Sequence, residues 1–97
     1  MGLLSKLFGP NKGESDPEGA RRLARLLLGE IKLYEPYKLE RGIRNNNILG
    51  SLENEIKLAR KKFSETFGHE SANIIFEEQV LAVLADRDRS LLGAKSE

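Results

Sequence analysis

Residues 48–67 read ILGSLENEIKLARKKFSETF. Ile48, Leu52, Ile56, Ala59, Phe63 and Phe67 recur in it at steps of four, four, three, four and four, the period of one face of an α-helix. Charged and polar residues fill most of the positions between them, so the stretch predicts an amphipathic helix with one narrow apolar stripe. Lys57, Arg60, Lys61 and Lys62 gather toward its carboxyl end, where the helix dipole favours cations. Asn45-Asn46-Asn47 ahead of it reads as a turn with Asn47 as the capping residue, and Gly68 after it stands where a left-handed cap belongs.

A helix with one stripe needs something to bury it against, and both neighbours qualify. Upstream, Ser15-Asp16-Pro17-Glu18 is a helix start: a short polar cap, proline at the first helical position and a carboxylate in the first turn. The helix that follows carries Ala20, Leu23, Ala24, Leu27, Leu28 and Ile31, with Leu26, Leu33 and Tyr34 widening the apolar arc to more than half the circumference. An ordinary surface helix needs an arc of about 100°, so this one is expected to be covered on two sides. Pro36 removes a backbone donor and pushes Glu35 from helical angles, which predicts a kink followed by an irregular helical stretch to Arg44. Downstream, residues 71–86 are capped by Ser71 and apolar nearly all round, with Ala72, Phe76, Val80 and Val83 on one stripe and Ile74, Leu81 and Ala85 on another.

These elements predict an all-α protein, a small antiparallel bundle of three main helices (about 16–44 kinked at Pro36, 48–67 and 71–86). In this reading residues 1–13 form an amino-terminal tip and linker, 14–92 the bundle and 93–97 a tail. Leu3, Leu4, Leu7 and Phe8 share one helical face of the tip, but two turns alone do not hold a helix in water. Gly9-Pro10-Asn11-Lys12-Gly13 then separates the tip from the capped start.

Ninety-seven residues make a single domain with a modest core. Without cysteine there is neither a disulfide framework nor a thiolate metal site, and a cytoplasmic location is expected on that ground, with peripheral membrane contact through the tip as an addition. No apolar run approaches the ~20 residues of a membrane span. His69 is the only histidine, and it has no second histidine at ligand spacing. Glu77 and Glu78 point about 100° apart on a helix, which does not suit paired acid–base work. The expectation is therefore a non-enzymatic protein with no cofactor and no metal.

Two surfaces remain as candidates. Surplus apolar residues, Leu26, Leu33, Tyr34, Ile74, Leu81 and Ala85, predict an interface with another protein or with a second copy as a homodimer. The chain as a whole carries a net charge of +1, yet residues 21–62 hold eleven Lys or Arg against five Glu. Arg21, Arg25, Arg41, Arg44, Lys57, Arg60, Lys61 and Lys62 within that basic middle suit a nucleic acid, the alternative partner. The function expected is an interaction module or accessory subunit, with a nucleic-acid-associated protein and a membrane-attached adaptor through Leu3, Leu4, Leu7 and Phe8 as alternatives.

Overall fold

The computed structural model describes residues 16–93. Within them the chain is all-helical: α1 (Pro17–Tyr34), α2 (Pro36–Arg44), α3 (Ile48–Ser51), α4 (Glu53–Thr66) and α5 (Glu70–Gln79). A π-helical turn, Val80–Leu84, prolongs α5, and a 3-10 turn, Arg89–Leu91, closes the described chain.

Each start and stop has a local cause. The Asp16 carboxylate accepts the Gly19 N–H at 3.0 Å, with Pro17 at the first helical position, so α1 begins on a free donor that its cap satisfies. It ends at Glu35, whose N–H still donates to the Ile31 carbonyl at 2.8 Å before Pro36 forces a new start. The kink expected at Pro36 is thus a full break. The α2–α3 turn uses Asn46 in the left-handed region (φ 53°), and the Asn47 side chain accepts the Gly50 N–H at 3.2 Å.

The helix predicted over 48–67 divides at Leu52. Gly50 and Ser51 are poor helix formers, and the chain adopts φ −111° and ψ 25° at Leu52. Phase is kept across the break, because the Leu52 N–H bonds back to Ile48 at 2.9 Å and its carbonyl accepts the Ile56 N–H at 2.8 Å. All six residues of the predicted stripe are buried. Two predicted caps differ from the structure. Gly68 does not take a positive φ, since the α4–α5 link runs extended through His69 (φ −93°, ψ 163°) and needs no left-handed residue. Ser71 does not cap α5, which starts one residue earlier at Glu70 with His69 in the cap position.

The helix α1 is the centre of the fold and packs against both α4 and α5. Its buried face is Ala20, Ala24, Leu28 and Ile31, and the two alanines at its amino end let neighbouring helices approach closely. Phe63 and Phe67 of α4 and Phe76 of α5 close the far side. Ring centroids lie 5.6 Å apart for Phe63–Phe67 and 5.1 Å for Phe63–Phe76, within the range of favourable aromatic pairs. At the carboxyl end Asp86 and Arg87 are both left-handed, and the Arg87 N–H donates to the Leu81 carbonyl at 2.9 Å. This reversal returns the chain to α3, where the Leu92 carbonyl accepts the Leu49 N–H at 2.9 Å.

Candidate interaction surface

The expectation that α1 is covered on both flanks holds on one side only. Leu26, Leu33 and Tyr34 are 59%, 69% and 72% exposed. At about 100° per residue, Leu26 and Leu33 fall on the side of α1 away from Ala24 and Leu28, and Tyr34 borders the α4 side. The sequence reading pairs these residues with the last helix; the structure groups them with α4 instead. Leu58 of α4 is 56% exposed and faces Leu27 and Tyr34 across a groove of about 170 Å³. Ile31 and Ala59 also line this groove, and the charged residues along it are Glu30, Glu35, Glu55 and Lys62.

The other predicted interface residues divide differently. Ile74 is exposed on α5, on the face opposite Phe76. Leu81 is half-buried against the core. Ala85 is only 1% exposed and belongs to the core, so it is not available to a partner. The physical reason is the π-turn, which alters the residue-to-face relation after Gln79 and brings Leu84 and Ala85 inward together.

The predicted basic residues do not form one surface. Arg21 and Arg25, with Arg22 and Glu18, line a shallow depression on the first half of α1. Arg41 and Arg44 are exposed at the end of α2. On α4, Lys57 and Lys61 point outward, while Lys62 lies at the apolar groove. Arg60 is committed within the fold: it forms an ion pair with Glu77 of α5, and its guanidinium carbon sits 4.8 Å from the centre of the Phe76 ring. Leu3, Leu4, Leu7 and Phe8 of the predicted membrane segment lie outside the described residues.

One ion pair braces the groove. Lys38 Nζ of α2 donates to Glu55 Oε2 of α4 at 2.6 Å, a bond that holds the Glu55 carboxyl below its ordinary pKa and raises that of Lys38. A depressed carboxyl pKa contributes stability that is present above the unfolded pKa and lost as pH falls through the folded one. A raised lysine pKa contributes stability that is lost as pH rises through its folded value. We therefore expect wild-type stability to decline on acidification below about pH 4. Glu55→Gln should be slightly less stable at neutral pH and should flatten that decline, as read by urea melts over a pH series. Equal acid sensitivity of both proteins would mean that the pair contributes nothing.

Among the described residues there is no group of three or more His, Cys, Asp or Glu placed to hold a metal ion, and no helix long and apolar enough to cross a membrane. His69 Nδ1 lies 3.3 Å from the Ser71 hydroxyl at the head of α5. Comparison with protein-family models, with curated proteins and with solved structures finds no match to this chain.

Proposed function

We propose that this chain is a non-catalytic protein-interaction module that presents the α1–α4 flank to a partner. In this reading the helices act as three units of an antiparallel bundle: α1 with α2, α3 with α4, and α5 with its π-turn. The observation that carries the proposal is the convergence of Leu26, Leu33, Tyr34 and Leu58, each more than half exposed, on two adjacent helices beside one groove. Single exposed apolar residues are ordinary on a protein surface, whereas a contiguous group marks a contact site. Water contact at such a patch costs about 25 cal/mol per Å² of apolar area, an energy that a partner recovers. Tyrosine at its centre and carboxylates along its edge match an interface with an apolar core and a polar rim.

The dispersal of the basic residues, and the use of Arg60 within the fold, weigh against a nucleic acid as the main partner. Light scattering and hydrophobic-dye titration at micromolar concentration test the proposal, on the wild-type chain and on Leu33→Asp/Leu58→Asp. The wild type should self-associate or bind dye, and the variant should lose that property with its helical circular dichroism intact, because both side chains are already more than half in water. A monomer that binds no dye would overturn the proposal.

A further inference from the structure

We infer that the α1–α4 groove is occupied in cis by the chain's own amino-terminal stretch, Met1–Phe8, with the Phe8 ring as the anchor. The inference rests on the docking reading of that flank and adds its first occupant. Three observations point to this segment. The first is charge. Glu30, Glu35 and Glu55 line the groove against a single cation, Lys62. Residues 1–13 contain Lys6 and Lys12 and no acidic residue, so a basic segment meets an acidic rim.

The second is size. A cavity of about 150 Å³ takes a benzene molecule. The groove, at about 170 Å³ and lined by Leu27, Ile31, Tyr34, Leu58 and Ala59, therefore holds one phenyl ring with room for part of a neighbouring leucine. Phe8 and Leu4 stand four residues apart, so they share one side of a helical turn, with Leu3 and Leu7 beside them. An amphipathic turn laid in an apolar groove is a common mode of peptide recognition.

The third is reach. From Asp16 to Leu27, where the groove begins, α1 rises about 16 Å at ~1.5 Å per residue. Residues 9–15 extend to about 23 Å at ~3.3 Å per residue. Their composition, Gly9, Pro10 and Gly13 among them, suits a chain that turns back along α1. Phe8 thus arrives at the level of Leu27–Ile31 without strain. Tethering raises the local concentration of the segment to the millimolar range, so weak contacts suffice for occupancy, and an external partner must displace it.

The chain has no tryptophan, so Leu4→Trp in the full chain is a clean reporter. The expected result is blue-shifted emission that is unchanged on dilution and returns to that of a water-exposed tryptophan when Phe8→Asp or Leu58→Asp is added. Water-like emission in the Leu4→Trp chain would overturn the inference. So would a blue shift that fades on dilution, which would place the segment on a second copy, or one that appears only with anionic vesicles, which would place it on a lipid surface. Dye binding by the same proteins separates the two levels. Water-like emission with dye binding that Leu58→Asp abolishes removes the cis occupant and leaves the docking surface standing. Absence of dye binding in the Leu4→Trp/Phe8→Asp chain as well removes both.

Discussion

Phe63→Ala should cost about 3–5 kcal/mol of folding stability, the range for deleting a large buried aromatic side chain. Phe63 is fully buried and touches both other core phenylalanines, so its removal opens a cavity between α4 and α5 that the bundle cannot fill by a small shift. Domains of this size are stable by only about 5–15 kcal/mol, and each kcal/mol moves the Tm by roughly 4–8 °C. The expected thermal melt is therefore lowered by about 15–25 °C, or native circular dichroism is lost altogether at room temperature. Phe63→Leu, which keeps most of the volume, should lose no more than about half as much. A melt within a few degrees of wild type for Phe63→Ala would show that the aromatic cluster is not the centre of the core.

The second large effect is expected at Gly42, where α2 crosses α3. A Cβ there would sit 2.8 Å from the Ile48 Cα, 3.2 Å from the Ser51 Cβ and 3.3 Å from the Asn47 carbonyl oxygen. Two of those three atoms are backbone and cannot rotate away, so Gly42→Ala must separate the two helices. A loss of about 1–3 kcal/mol follows, typical of overpacking. Gly29 supplies the control, because a Cβ built on it meets nothing within 4 Å. Gly29→Ala should instead gain about 0.5–1 kcal/mol through helix propensity alone. Denaturant melts of the two variants thus test opposite signs for the same chemical change, and equal behaviour would refute the close crossing.

How far these features can be read from sequence depends on whether their cause is local. The Ile48–Phe67 stripe, the Asp16-Pro17 start, the Asn47 cap and the interruption at Pro36 are written in neighbouring residues, and the structure contains each of them. The all-helical character follows from them. Gly42 is different, because its requirement comes from Ile48 and Ser51 on another helix. Leu58 was missed for a related reason. On the polar side of α4 it reads as one scattered leucine, and it acquires meaning only when α1 brings Leu27 and Tyr34 beside it. Conversely, Leu26, Leu33 and Tyr34 were legible as surplus apolar surface because the excess is a property of one helix, although their neighbours were not. Ala85 was assigned to the wrong side, since a wheel drawn at constant pitch does not foresee the change of pitch at Val80.

That change of pitch has a consequence for how the chain tolerates length. A π-turn is equivalent to one residue inserted into an α-helix. The insertion turns everything after it by about a quarter of a revolution relative to a regular helix. In this chain the rotated portion holds Ala85 in the core, the Asp86–Arg87 reversal, and Leu92, whose carbonyl fastens to the Leu49 N–H. The five residues from Val80 to Leu84 therefore act as a vernier between α5 and the closing strap. Loss of one residue there would leave a regular helix and a strap aimed past α3, so indel tolerance should be lowest in a segment whose composition, VLAVL, looks the most interchangeable of all.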